Sequence, residues 1–242
     1  SAARMKGKLK RRWPLNEAQI CVKKNQKIKL ESLSNLLKSQ LNVEKFNIIE
    51  TETENGLEQL LELKELGLPV KSKLELERKK IGPKAKQHMG KLVSTFSETN
   101  PEEIISALQK EGKYDFKIDD EVISLDKEDF IVDFDASENF AVANRDEFIV
   151  FISTLRNKEM MAKGLVKDVA RRLQTLRKER GYNPTDVLEV ASILELDDES
   201  LEMIKQRDEE LAFLVRVKKV NFEKSCKEYK DDDIDGQKIR IS

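Results

Sequence analysis

What this chain lacks narrows its chemistry first. It has one histidine and two cysteines in 242 residues. Those side chains cannot complete a four-ligand zinc site by themselves, nor build a disulfide framework. Two thiols outside any framework fit a reducing, cytoplasmic setting. Long apolar runs are also missing: the longest, Phe148–Ile152 and Leu211–Val215, are five residues each. A bilayer crossing needs about 20, so no transmembrane helix is expected. The basic start is followed by no apolar stretch of the signal-peptide kind. Neither GxxxxGK[ST] nor GxGxxG occurs, so no phosphate-cradling loop is visible.

Catalytic sets are equally scarce. The single His88 sits beside Met89, among Lys84, Lys86 and Lys91. It reads as a surface or packing residue, because no nucleophile is placed to use it. Asp133, Asp135 and Ser137 have calcium-loop spacing. Glu138 stands where the turn glycine belongs, and Asn144 where the bidentate glutamate belongs. These are read as turn acids. No catalytic residue and no metal ligand is assigned.

Charge is abundant and unevenly spread. Lys and Arg total 45 and Asp and Glu 46, for a net charge of -1, which excludes a uniformly basic nucleic-acid coat protein. Residues 1–29, however, hold ten Lys or Arg against Glu17 alone and carry +9, leaving -10 for residues 30–242. A basic arm on an acidic body points to a polyanion or an acidic partner surface, or to a solvated linker. The chain begins at Ser1 with Met5 inside it, which suggests an excised fragment of a longer protein.

Periodicity divides the rest. Ala18–Val22 and Phe46–Ile49 read as strands flanking a helix with Leu33, Leu36, Leu37 and Leu41 on one face. Leu57, Leu60, Leu61 and Leu63 mark a helical turn that Gly67-Leu68-Pro69 ends. Gly82-Pro83 is expected to open a helix carrying Met89, Leu92, Val93 and Phe96. Asn100-Pro101-Glu102-Glu103 is a strong helix start. Five strand-like runs between Tyr114 and Ile152 suggest an antiparallel meander. Met161, Leu165, Val169, Leu173 and Leu176 make one stripe along a helix ended by Gly181 and Pro184. A strand at Val187–Ile193, one helix carrying Leu201–Leu214, and closing strands at Val220–Phe222 and Lys238–Ile241 follow. Lys227–Gly236, with Asp231-Asp232-Asp233, reads as a hydrated loop. The expected fold class is α+β: small α/β subdomains, an antiparallel meander and a long amphipathic helix. The expected parts are a basic linker (1–17), a βαβ-like subdomain (18–78), helices plus antiparallel strands (79–153) and an α+β subdomain (154–242).

The positive features point to phosphate. Lys163, Lys167, Arg171, Gln174 and Lys178 share a helix face, widened by Arg172, Arg177 and Arg180. Such a line suits a phosphate backbone, although it is also what an ordinary solvated face looks like. Lys10, Arg11 and Arg12 add a second cluster beside Trp13. That indole can stack on a base or dock the arm as an apolar peg.

Four segments carry a family resemblance. Gly164–Glu179 resembles a helix near the C-terminus of isoleucyl-tRNA synthetases. Lys10-Arg11-Arg12-Trp13-Pro14-Leu15 resembles the segment after their anticodon-binding bundle. Gln40-Leu41-Asn42-Val43 is similar to the segment after the next helix, with Glu44 departing. Ile81-Gly82-Pro83-Lys84 resembles a fourth segment, with Ala85 and Lys86 departing. The order spans nearly the whole chain, and the style resembles the archaeal and eukaryotic type. The resemblance implies a C-terminal appended region of a class I isoleucine–tRNA ligase, whose ATP- and Mg-dependent chemistry lies elsewhere. No cofactor is expected in this fragment. It implies tRNA(Ile) and the remainder of the synthetase as partners, near the anticodon, with no membrane or DNA. The expected nucleic-acid-binding residues are Lys10, Arg11, Arg12, Trp13, Lys84, Lys163, Lys167, Arg171, Arg172 and Lys178. The alternative is a structural or protein-interaction module bracing the synthetase.

Overall fold

A computed structural model describes residues 2–9, 13–145, 148–223, 228–234 and 236–242. The fold is mixed α+β, in two compact units. The first comprises residues 1–7, 17–37 and 46–154; the second comprises 8–16, 38–45 and 155–242.

The chain begins with α1 (Ala2–Lys6), β1 (Leu15–Val22), α2 (Lys24–Glu31), α3 (Ser34–Leu41) and β2 (Val43–Glu50), of which residues 15–16, 38–41 and 43–45 count with the second unit. Leu15 N donates to Asn42 O, and Thr51 N to Val22 O. Start therefore lies beside start and end beside end, so β1 and β2 run parallel, as the strand–helix–strand reading requires. The helices between them differ from expectation. Neither α2 nor α3 buries a residue, and Leu33, Leu36 and Leu41 are exposed. Periodicity marks an apolar face without saying what covers it.

Next come α4 (Gly56–Glu65), β3 (Val70–Leu76), α5 (Arg78–Ala85), α6 (Met89–Glu98) and α7 (Pro101–Glu111). Pro83 lies near the end of α5 rather than opening a helix. A 3₁₀ turn at Lys86–His88 joins α5 to α6. Helix α7 starts as read: Asn100 Oδ1 accepts from Glu102 N at 3.0 Å, and Pro101 needs no partner there.

Then follow β4 (Lys113–Ile118), β5 (Glu121–Asp126), β6 (Phe130–Ala136), β7 (Phe140–Arg145) and β8 (Phe148–Ser153). Their pairings are antiparallel, but the strands are shared among three sheets. β4 pairs with β5, β6 with the distant β3, and β7 with β8, which joins β1 in the order β2-β1-β8-β7. The reason is the turn Lys127–Asp129 between β5 and β6. Its capping box of Asp126 and Asp129 redirects the chain, so β6 leaves β5 and meets β3.

Leu60, Ile81, Leu92, Ile104, Phe116, Leu125 and Phe151 lie fully buried in this unit's core. Cys21 is buried with them. Desolvation, with a smaller push from the Glu62 carboxylate, raises its thiol pKa to about 12.

The second unit contains α8 (Lys158–Glu179), β9 (Leu188–Leu194), α9 (Asp198–Lys205), α10 (Asp208–Val215), β10 (Val217–Asn221), β11 (Lys230–Ile234) and β12 (Gln237–Ile241). Its sheet runs β10-β9-β12-β11, with β10 parallel to β9 and the other pairs antiparallel. The single helix expected over 201–214 is two, because the chain turns at Gln206–Arg207 and restarts with Asp208, Glu209 and Glu210 at the positive end of α10. The Asp-rich stretch expected as a loop contains strand β11. It pairs in register with β12, setting Asp231 opposite Arg240 and Asp233 opposite Lys238. Arg240 Nε donates to Asp231 Oδ1 at 2.7 Å. Opposite charges across the ladder offset the low strand preference of aspartate.

The raised pKa has a chemical consequence. The thiolate is the nucleophile, and at about pH 8 a thiol of that pKa is about one part in ten thousand ionised. In the native chain the Cys21 peptide should remain unalkylated by iodoacetamide, and it should be labelled fully once denaturant is added. Peptide mass spectrometry reads both states; rapid native labelling of Cys21 would contradict its burial.

Candidate nucleic-acid interface

Helix α8 organises the second unit. Asn157 caps it by accepting from Met160 N at 2.7 Å, and Gly181, at φ +79°, ends it as the sequence indicated. Two rows of α8 are buried. Val166, Val169, Ala170, Leu173 and Leu176 belong to the unit's apolar core. Met160, Gly164 and Asp168, spaced by four, form a second buried row. Met161 is exposed, so the expected stripe shifts at its N-terminal end toward Met160.

Trp13 explains the second row. Its indole lies where a Cβ on residue 164 would meet ring atoms at 3.4–3.7 Å, and its Nε1 donates to Asp168 Oδ2 at 3.2 Å. The Arg156 guanidinium sits 4.0 Å from the ring centroid, and its pKa is lowered by burial. The tryptophan is thus held as a peg by a glycine, a carboxylate and a cation. Lys10, Arg11 and Arg12 lie outside the described residues.

The exposed line of α8 divides by partner. Lys163 bonds Glu159 at 2.9 Å and Glu44 at 3.2 Å, and both carboxylates, Glu159 first, raise its pKa. Lys167 Nζ donates to Asn42 Oδ1 at 3.1 Å. Arg171 and Lys178 are exposed, and neither side chain has a partner among the described residues. Arg172 is committed elsewhere. It donates to the carbonyls of Asp233 and Asp168 and lies 3.5 Å from the Asp232 carboxylate, tying β11 to α8. Lys84 belongs to the first unit. It bonds Asp126 at 3.0 Å and the buried Asp129, which raise its pKa, Asp129 most.

At and just past the end of α8 lie Arg177 and Arg180, which the sequence placed only as widening the basic face, and Tyr182, which it did not single out. Arg177 donates to the carbonyls of Val215, Arg216 (3.1 Å), Asn183 (3.3 Å) and Asp186 (2.7 Å). Arg180 reaches Ser242 Oγ and Glu228 O. Tyr182 follows Gly181 and is exposed. The available signal was positional: an aromatic one residue past the stop of a basic helix. Among the described residues, no three His, Cys, Asp or Glu side chains are grouped to hold a metal ion. Among the same residues, no helix is long and apolar enough to cross a membrane.

Fold and face together define a class: a mixed α+β module presenting a partly uncommitted cationic helix. No family model matches the chain. Individual proteins do. The isoleucine–tRNA ligase of Bacteroides fragilis is 26% identical over 190 residues, covering 78% of this chain and 15% of that protein. That of Pyrococcus abyssi is 26% identical over 227 residues, covering 93% and 19%. That of Methanocella arvoryzae is 25% identical over 250 aligned positions, covering 100% and 21%. The chain is therefore homologous, over most of its length, to part of isoleucine–tRNA ligases, and it spans about a fifth or less of the relatives it matches. Bacterial and archaeal ligases match at the same identity, so identity alone assigns neither type.

Replacing the Trp13 peg tests the second buried row. Trp13→Ala removes indole packing on Gly164 and one donor to the buried Asp168. It should destabilise the second unit by about 3 kcal/mol in urea unfolding. A loss below about 0.5 kcal/mol would show that the indole is not part of the packing.

Proposed function

We propose that this chain is the C-terminal appended region of an isoleucine–tRNA ligase of the archaeal and eukaryotic style. On this reading it helps hold tRNA(Ile) near the anticodon and leaves catalysis to the rest of the enzyme. The parent activity is the ATP-dependent attachment of isoleucine to tRNA(Ile) in the cytoplasm. The fragment's partners are that tRNA and the remainder of the synthetase. The observation that carries the reading is the exposed line on α8, where Arg171 and Lys178 have no partner among the described residues, in a chain homologous to part of these ligases.

The mechanism is positioning. Arg171 and Lys178 neutralise phosphates and release condensed counterions, while the Lys163–Glu44 and Lys167–Asn42 contacts hold the neighbouring segment along the same helix. A tRNA anchored at a distance presents its acceptor end with less freedom to lose at the reaction step.

A second reading, a brace within the synthetase, draws on the cations that are already spent. Arg172 and Arg177 tie α8 to backbone carbonyls, and Lys84 is held by two carboxylates. The two readings separate experimentally. Arg171→Ala/Lys178→Ala should weaken binding of a tRNA(Ile) transcript about tenfold and flatten the log K against log salt line by about 1.5–2. Filter binding at two salt concentrations reads both quantities, with the thermal midpoint unchanged. Unaltered affinity and slope would remove this helix from the interface. A wild-type chain that binds no tRNA, together with a ligase destabilised by its deletion, would favour the brace.

A further inference from the structure

Two hollows flank Arg177 and Tyr182 in the second unit. One, of about 430 Å³, has apolar walls that include Leu173, Leu188, Ala191 and Val217. The other, of about 460 Å³, is lined by Lys178, Pro184, Leu214 and Arg216, among others. Arg177, Tyr182 and Val215 line both. Tyr182 is 44% exposed, and its ring has no stacking or hydrogen-bond partner among the described residues.

The cations here do two different jobs. Both terminal nitrogens of Arg177 are engaged by backbone carbonyls, so this guanidinium holds the walls in place. Lys178 and Arg216 are exposed and uncommitted among the described residues. Gln174 Nε2 donates to Leu214 O at 2.9 Å, which fixes that amide and leaves its oxygen available to accept. The rim of the first hollow carries Glu228, whose carboxylate has no partner among the described residues and repels an anion placed there, beside Glu189, paired with Lys218 at 2.6 Å, and Arg180, spent on Ser242 Oγ and the Glu228 carbonyl. Negative charge therefore belongs beside Lys178 and Arg216, and an uncharged flat group belongs against the apolar walls.

We infer that these hollows take one unpaired ribonucleotide, with its base against Tyr182 and its flanking phosphates on Lys178 and Arg216. This rests on the nucleic-acid reading above and assigns the form of RNA recognised. A base inside a duplex has both faces covered and cannot reach the ring, whereas an unstacked base offers a face to an aromatic side chain.

The test uses the full chain with a fluorescein-labelled single-stranded RNA and the same RNA annealed to its complement. Tyr182→Ala should weaken single-strand binding about tenfold, and Tyr182→Phe should restore it. Duplex affinity should change by less than about twofold, with the salt slope intact. Lys178→Ala/Arg216→Ala should lower the slope by about 1.5 on both RNAs. A melting curve accompanies each variant. Tyr182→Leu, apolar but without a π face, takes the place of alanine if alanine unfolds the unit. Wild-type single-strand affinity in a folded Tyr182→Ala or Tyr182→Leu overturns this subsite while leaving general RNA binding intact. Equal losses on both RNAs also overturn it. A wild-type chain that binds neither RNA overturns the broader reading instead.

Discussion

A 22-residue helix that buries two of its rows leaves one line of side chains to water, and the second unit is arranged around that constraint. The core row from Val166 to Leu176 packs beneath the helix. Gly164 and Asp168 in the second row accommodate Trp13, and Gly164 is the residue that lets an indole approach so closely. A helix gripped along two rows cannot roll. Its remaining basic line is therefore presented in a fixed direction, which is what a surface needs if it is to orient a large polyanion.

The fate of each cation follows from what lies within its reach. Arg presents a planar fork of donors that backbone carbonyls can satisfy, and both Arg172 and Arg177 are consumed in this way. They act as fasteners between α8 and the strand or helix end beside it. Lys163 reaches two carboxylates. Arg171 and Lys178 point where no described group meets them. Counting basic residues on a helix thus overstates its binding surface, because part of the charge holds the fold together.

Much of the local structure was legible. The cap Asn100-Pro101 and the stop at Gly181 depend on contacts within a few residues, and the chain adopts them. What escaped depended on distant partners. The Asp-rich run became strand β11 because Arg240 and Lys238 stand opposite it, a pairing that no local propensity contains. The meander became three sheets because β3, more than fifty residues earlier, captures β6. On α3 the leucine periodicity was real but the face stayed exposed, since periodicity records which residues share a side and not whether anything covers it. Among the candidate site residues, the basic line was visible from spacing. Its division into fasteners and free cations was not, because the carbonyls of Asp233, Val215 and Arg216 that help hold Arg172 and Arg177 come from residues remote in sequence.

Alone, the sequence determined the α+β class, the long capped helix with its opposed apolar and basic faces, and the ordered resemblance to isoleucyl-tRNA synthetases. Each of these is written in spacing, capping chemistry or motif order along a single chain. Tertiary structure decided which strands pair, where Trp13 is held and which cations remain uncommitted. Those outcomes depend on groups brought together from far apart in the chain, and a desolvated guanidinium bonds whichever carbonyl the fold places beside it.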